Sequence, residues 1–207
     1  KKGHAIKLNT QSLEFTHIPV DTDAIRFILV NSGVKHSLRE SGYNDRRHEC
    51  ERAFLILKKS GFPIQYLCDV NVDDLMHIQD ILPQTEYKRT YHVITENQRV
   101  HQFAQEIQQY NLIKAGELLY KSHESLSVNY EVSIPLIDEM VEWTSEIDGV
   151  YGSRLMGGGF GGCTISMVAL YAVEHFKEII IQKFKKKENR IPEIYECSIE
   201  DGTHQIE

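Results

Sequence analysis

Residues 157–163 read GGGFGGC, so five of the first six residues are glycine and Phe160 interrupts the run. Each glycine costs about 0.5–1 kcal/mol relative to alanine in a regular element. Gly157, Gly159 and Gly162 formally satisfy the G-x-G-x-x-G pattern of dinucleotide-binding folds. That pattern needs a helix directly after the glycines, whereas the following CTISMVALY is rich in β-branched residues and predicts a strand. No G-K-[ST] closes the run, which excludes a Walker A loop.

Two interpretations of the glycine run remain. Either it is a hairpin connection whose missing side chains let another segment pack closely, or its bare backbone amides bind an anion, as in a nest. Because two residues usually suffice for a β-hairpin turn, a connection of six favours anion binding. Such a loop can position a phosphate, but it cannot by itself carry out phosphoryl transfer.

A second polar stretch, NSGVKHSLRESGYNDRR at 31–47, leaves an apolar run and leads into a predicted helix. Loops that follow strands commonly hold ligands. Tyr43 could place its hydroxyl on a sugar, or it could simply cover the start of the helix. Lys35 and His36 are explained equally well as surface residues.

Basic residues occur at both ends of predicted helices. Arg46 and Arg47 fall in a predicted first turn, where the helix dipole disfavours cations, so at least one is expected to pair with a carboxylate. The run KFKKKENR at 183–190 ends a helix, where lysines suit the dipole, and we expect it to be solvated. We find no self-sufficient pair of acid and nucleophile.

Composition restricts the class of protein. The 207 residues are 41% hydrophobic and 26% charged, with a formal net charge of −7. An acidic chain is a poor partner for nucleic acid, although it can still bind a nucleotide, and no apolar run reaches membrane-spanning length. There is no H-E-x-x-H or C-x-x-C spacing for a metal site. The four cysteines are interpreted as free thiols of a cytoplasmic protein: Cys50, Cys68, Cys163 and Cys197.

The patterning of apolar residues predicts the elements that position these stretches. We expect a hairpin over 4–9 and 13–18, a strand over 24–31, and a helix starting with Asn44 as its cap and ending at Gly61. Further along the chain we expect helices over 73–82, 85–109, 111–128, 134–147 and 172–187, and strands over 150–156, 162–170 and 193–199. In the fourth of these helices, Ser133 is the expected cap and Pro135 lies in the first turn. This order predicts an α+β fold rather than βαβ alternation.

Three segments resemble the galactokinases of the GHMP small-molecule kinase family. They are VNSGVKHSLRESGYNDRRHECERA at 30–53, SHESLSVNYEVSIPLIDEMV at 122–141 and GVYGSRLMGGGFGGCTISMV at 149–168. The resemblance runs from about residue 3 to the end of the chain, and the last segment looks like the family's third motif. It implies a C-terminal domain with a ferredoxin-like core over 21–207, preceded by a hairpin at 1–20 that belongs to an N-terminal half.

The resemblance also implies roles for site residues. Tyr43 corresponds to the tyrosine that hydrogen-bonds galactose. The glycines of the third motif would line the site near the sugar and the transferred phosphate: Gly157, Gly158 and Gly159, with Phe160 and Gly161 as neighbours. Two positions depart from the family pattern, with Met156 where threonine is usual and Gly42 where glutamate is frequent, and the second departure predicts a looser segment before Tyr43.

By the same resemblance the intact protein would phosphorylate D-galactose to galactose 1-phosphate, using ATP and Mg²⁺. The catalytic Asp and Arg and the ATP loop would come from the N-terminal half, so that this chain alone holds no catalytic residue or metal site and is expected to be inactive. The resemblance leaves three alternatives open: a galactose- and ATP-binding sensor without catalysis, a GHMP kinase for another sugar, and a purely structural module.

Overall fold

The computed structural model describes residues 1–34 and 39–202, and Lys35 and His36 lie outside the described residues. The strands are β1 His4–Leu8, β2 Phe15–Pro19, β3 Ile25–Asn31, β4 Val150–Met156, β5 Cys163–Ala169 and β6 Glu193–Cys197. The helices are α1 Arg39–Lys59, α2 Leu75–Gln79, α3 Gln84–Gln108, α4 Leu112–Val128, α5 Pro135–Ser145 and α6 Val173–Glu188. Short 3₁₀ turns cover Leu67–Asp69, Val72–Asp74 and Leu170–Ala172.

Four strands form an antiparallel sheet in the order β4-β5-β3-β6. Along the chain, β3 is followed by the helices α1–α5, the hairpin β4–β5, helix α6 and strand β6. This is the split β-α-β-β-α-β arrangement of ferredoxin-like folds. The expected α+β class and ferredoxin-like core are therefore confirmed.

The sheet is buried from both sides because its strands alternate. On one face, Ile28 and Val30 of β3 pack against α5 and α6, where Phe176 and Phe184 are fully buried. On the other face, a smaller cluster joins β3 and β5 to α3 and α4. A third cluster fills the space between α1, α2 and α3. The glycine run therefore lies at the end of a strand pair that is clamped between helices.

The hairpin β1–β2 is a separate two-stranded sheet, as predicted. Ile18 is buried in the cluster with α3 and α4, which attaches the hairpin to the rest of the chain. The opposite face exposes large apolar side chains: Ile6, Leu8 and Phe15 are each at least half exposed. A two-stranded sheet is marginally stable by itself, so its attachment through the buried face matters.

Helix α1 differs most from the sequence prediction. Asn44 is not a cap, because the helix is already formed at Arg39. Arg46 and Arg47 therefore lie beyond the first turn, so the dipole argument was wrong for them, although each does pair with a carboxylate, Glu49 and Glu51. These pairs at spacings of three and four support the helix through a polar stretch that looks like a loop.

Two other local predictions are wrong in detail. Ser133 is not the cap of α5: Ile134 occupies that position, Pro135 starts the helix, and the Ser133 hydroxyl is buried without a partner among the described residues. Proline imposes an extended backbone on the residue before it, which moves the boundary. The segment 73–82 is not one helix but a 3₁₀ turn followed by the short α2. The remaining predicted elements are confirmed to within about two residues at each end.

Helix α4 approaches strand β4 at a pair of facing glycines. A Cβ atom on Gly116 would lie well under 3.0 Å from the Tyr151 carbonyl, and one on Gly152 would overlap the Gly116 carbonyl. The backbone of α4 thus contacts the backbone of β4 directly. A clash there cannot be relieved by rotating a side chain. This contact sets how deeply α4 sits against the strand that leads into the glycine run.

Gly116→Ala should therefore lower the free energy of unfolding by about 2–4 kcal/mol, because overpacked backbone must separate. Urea unfolding measures this. The matched control is Glu117→Ala, the next residue on the exposed side of the same helix, which should change stability by less than about 0.5 kcal/mol. Equal, small effects of both substitutions would contradict the close approach.

Among residues 1–34 and 39–202, no helix is both long and apolar enough to cross a lipid bilayer.

Candidate functional site

The glycine run forms the six-residue connection between β4 and β5. Gly157, Gly159, Gly161 and Gly162 all have positive φ, between 81° and 123°, and Phe160 shares this region with φ of 59°. L-residues other than glycine rarely adopt such backbone angles. The density of glycine is thus explained by a turn of mostly left-handed residues. Strand β5 follows directly, so the exclusion of a dinucleotide-binding helix is confirmed.

Part of the run serves close packing. A Cβ atom on Gly159 would overlap the Val132 carbonyl, and one on Gly161 would lie 2.8 Å from the Val34 carbonyl. The Phe160 amide donates a hydrogen bond to the Val132 carbonyl at 2.6 Å. The segment between α4 and α5 therefore holds the middle of the turn in place, as the packing interpretation predicts.

Gly157 behaves differently. It is exposed, and a Cβ atom there would meet nothing within 4 Å. Gly158, next to it, is half-buried. Gly157 thus leaves open space beside its backbone, whereas Gly159 and Gly161 are packed. The packing interpretation holds for these two glycines, and anion binding at Gly157 stays a prediction.

Tyr43 lies on helix α1, not on the loop where the sequence placed it, and 58% of its surface is exposed. The preceding Gly42 contacts the glycine run: a Cβ atom there would lie 2.6 Å from Cζ of the Phe160 ring. The expectation that Gly42 loosens the segment before Tyr43 is therefore wrong. A glycine at this position lets the aromatic ring lie directly on the helix backbone.

A groove of about 490 Å³ opens beside Tyr43, between α1 and the 3₁₀ turn Leu67–Asp69. Its aromatic walls are Tyr43, Phe54, Tyr66 and Tyr130. This volume lies within the usual range for small-molecule sites. The glycines 157–159 do not line the groove. The glycine run approaches Tyr43 where the Phe160 ring lies against Gly42, the residue before the tyrosine.

Burial shifts the pKa values of three groups in or beside the groove, Tyr130, Cys50 and His92, in favour of their neutral forms. Burial raises the pKa of the Tyr130 hydroxyl and of the Cys50 thiol, whose sulfur lies 3.9 Å from that hydroxyl. Burial lowers the pKa of His92, stacked on the Tyr130 ring, to about 4. With their protons held, the Cys50 thiol and the Tyr130 hydroxyl are poor nucleophiles at neutral pH.

Arg89 is a buried cation that sequence analysis missed. It is only 2% exposed, and it reaches Glu49 of α1 together with Asn129 and Glu131 between α4 and α5. The hydrogen bond from Arg89 lowers the pKa of Glu131 to about 2. The sequence of α3 predicts a polar helix. No local pattern in it distinguishes Arg89 from the basic residues nearby that are exposed to solvent.

No metal cluster accompanies these residues: in the described part of the chain, no three His, Cys, Asp or Glu side chains converge so as to hold a metal ion. All four cysteines are free thiols. Lys185, Lys186 and Lys187 at the end of α6 are exposed to solvent, and Lys187 also pairs with Glu139.

Comparison with known proteins agrees with this geometry. Residues 103–187 match the family model described as GHMP kinases C terminal. The whole chain is similar to the galactokinase of Bacillus subtilis (strain 168), at 34% identity, and 84% of it is similar to the galactokinase of Homo sapiens, at 36% identity. It covers 53% and 43% of these proteins, so the chain spans about half the length of the curated relatives it matches.

Solved structures give the same result. A galactokinase of Lactococcus lactis, complexed with galactose, superimposes on the whole chain with a TM-score of 0.93 and 29% identity, over 53% of its own length. The mevalonate kinase of L. major, at a TM-score of 0.53 and 16% identity over 96% of this chain and 50% of its own, shares the fold alone. These findings confirm the resemblance drawn from the three sequence segments.

The two parts of the glycine run should respond differently to the same substitution. Gly157→Ala should cost about 1–2 kcal/mol of stability, from a left-handed backbone alone. Gly159→Ala adds a clash with the Val132 carbonyl and should cost about 3 kcal/mol or more. Urea unfolding of both variants compares them directly. If Gly157→Ala destabilises as much as Gly159→Ala, the open space beside Gly157 does not exist.

Proposed function

We propose that the protein carrying this chain is a galactokinase, because the chain contains a GHMP kinase C-terminal domain and resembles galactokinases along its whole length. The reaction would be ATP-dependent phosphorylation of D-galactose to galactose 1-phosphate. The observation that carries this proposal is the superposition of the entire chain, with its glycine turn, on a galactokinase that binds galactose.

Tyr43 is proposed to orient the sugar. Its side chain is exposed and lines the groove, and among the residues that the structure describes no hydrogen bond occupies its hydroxyl. A phenol can donate to and accept from sugar hydroxyls. Tyr43 would therefore act in recognition rather than in the chemical step.

Gly157, Gly158 and Gly159 are proposed to line the site near the transferred phosphate, with Phe160 and Gly161 holding the turn. Bare backbone at Gly157 would let an anion approach the amides without side-chain obstruction. Gly159 contributes indirectly, because it is packed against Val132. The anion-binding role thus falls on the first part of the turn.

The chemical step itself needs groups beyond these residues. Cys50 and Tyr130 hold their protons, and the described residues converge on no metal site. We propose that the base, the ATP loop and the ligands of Mg²⁺ lie outside 1–207, and that catalysis is positioning together with neutralisation of charge on the phosphoryl group. Mg²⁺, when bound with ATP, would supply part of that neutralisation.

The hairpin at 1–20 is proposed to belong to a first domain, and 21–207 to form the C-terminal domain. The outward face of the hairpin supports this division, because Ile6, Leu8 and Phe15 are exposed there. Apolar side chains gathered on one face of a marginal sheet favour burial against further chain. We also propose a cytoplasmic location, in keeping with four free thiols; recovery of the protein from an extracytoplasmic fraction would contradict it.

The proposal is tested by galactose-dependent release of ADP from the complete gene product, with N-acetylgalactosamine and arabinose as control sugars. Selective turnover of galactose is expected. Residues 1–207 alone should show no turnover. Galactose binding without turnover by the complete protein would instead identify a sensor, and preference for a control sugar would identify a kinase of different specificity.

Tyr43→Phe should raise the KM for galactose about tenfold, the effect of losing one hydrogen bond to substrate, and leave the KM for ATP unchanged. Steady-state kinetics on the complete protein measures both constants. The matched control is Tyr171→Phe, which removes the same hydroxyl at a site that is 76% exposed and should change neither. An unchanged KM for galactose in Tyr43→Phe would remove Tyr43 from the sugar site.

A further inference from the structure

We infer that Arg89 is a positioning residue that sets the glycine turn in its place relative to Tyr43. The consequence for sugar phosphorylation rests on the proposed function, whereas the structural coupling does not. The glycine turn does not line the groove beside Tyr43, so their relative position is set by the residues between them. Arg89 lies at the junction of those residues.

The guanidinium of Arg89 uses its three nitrogens on three different partners. Nε lies 2.6 Å from a Glu49 carboxylate oxygen, one terminal nitrogen donates to the Asn129 carbonyl at 2.5 Å, and the other lies 2.7 Å from Glu131. Glu49 belongs to α1, whereas Asn129 and Glu131 belong to the connection between α4 and α5. One side chain on α3 therefore holds two other segments at once.

From the connection, the restraint passes to the glycine turn. Glu131 has a left-handed backbone, with φ of 54°, and the next residue, Val132, accepts the hydrogen bond from the Phe160 amide. Arg89 holds Asn129 and Glu131, which both precede Val132, and thereby restrains the direction of the Val132 carbonyl. The same carbonyl blocks any side chain at Gly159.

Along α1, the restraint passes to the tyrosine. Glu49, which also pairs with Arg46, lies two helical turns after Gly42. The Phe160 ring lies against Gly42, and Tyr43 is the residue after Gly42. Arg89 is therefore linked to Phe160 by two routes, one through Val132 and one through Gly42 of α1.

Arginine suits this role better than lysine. Its planar fork offers donors in fixed directions, whereas an ammonium is a single point charge on a flexible stem. A lysine at 89 would keep the charge but could not satisfy a carbonyl and two separate carboxylates in these positions. Arg89→Lys therefore tests the geometry of the clamp with little change in net charge.

The chain provides a matched control. Arg52 of α1 pairs with Glu86 of α3 at 2.8 Å, and the Glu86 side chain is only 9% exposed. This second ion pair joins the same two helices that Glu49 and Arg89 join, and the Arg52 hydrogen bond ends on α3 instead of on the connection between α4 and α5. Arg52→Gln should weaken the helix contact without moving the glycine turn.

The experiment measures hydrogen exchange of two amides by NMR in the complete protein. The Phe160 amide reports the glycine turn, and the Ala169 amide, which donates to the Gly149 carbonyl at 2.7 Å at the far end of β5, reports the rest of the sheet. In Arg89→Lys, the Phe160 amide should exchange at least about tenfold faster relative to Ala169. Arg52→Gln should leave this ratio unchanged.

Kinetics supply the second readout. The KM for galactose should rise about tenfold in Arg89→Lys, because the clamp sets the position of Tyr43 relative to the glycine turn. Glu131→Gln removes one arm of the clamp at a residue whose side chain is 43% exposed. It should show the same two changes more weakly, and it keeps the test decisive if Arg89→Lys fails to fold.

Each outcome decides the inference. Loss of protection at Phe160 and Ala169 to the same degree would show a merely structural role and overturn it, as would an unchanged exchange ratio. A faster Phe160 amide with an unchanged KM for galactose would overturn the role in sugar positioning. If the complete protein does not phosphorylate galactose at all, the proposed function fails, and the exchange ratio alone then decides whether Arg89 positions the turn.

Discussion

The hydrogen bond from the Phe160 amide to the Val132 carbonyl is the constraint on which the candidate site depends. It exists because Gly159 carries no side chain and because Phe160 adopts a left-handed backbone. Through it, the turn between β4 and β5 is attached to the helical half of the molecule rather than projecting freely from the sheet. An unattached turn of six residues would sample many backbone conformations, and each would have to be ordered when a ligand binds. The packed half of the turn therefore preorganises the open half.

This arrangement separates two tasks that glycine can perform. At Gly159 and Gly161 the absent side chain admits a neighbouring backbone, and at Gly157 it leaves space beside the chain. Glycines at 116, 152 and 42 repeat the first task, bringing a helix onto a strand and an aromatic ring onto a helix. Ion pairs of Arg89 with Glu49 and Glu131 then hold α1 and the connection between α4 and α5 to α3. Because these contacts are made by backbone atoms, the site cannot adjust to a change by rotating a side chain at these positions.

Sequence patterns predicted most of this fold, because apolar residues recur at every second position in strands and at every third or fourth position in amphipathic helices. They singled out the glycine run, and for Tyr43 they left open a contact with a sugar and a cover for the start of the helix. They failed at the start of α1, where Gly42 and Asn44 suggest a loop but tertiary contact with Phe160 and paired charges hold a helix. They also missed Arg89, because its partners come from segments about 40 residues away on both sides. Local patterns carry no information on such distant pairing.

The central position of β3 has a consequence for the way the chain is made. This apolar strand pairs with β5 and β6, which follow about 130 residues or more later in the sequence. At a ribosomal rate of about 5–20 residues per second, β3 waits for about 7–26 seconds before its first partner is synthesised. The helices between them form early from local contacts, so their assembly shields the waiting strand. Protection from aggregation during synthesis is thus assigned to the same helical block that later carries Tyr43 and Arg89.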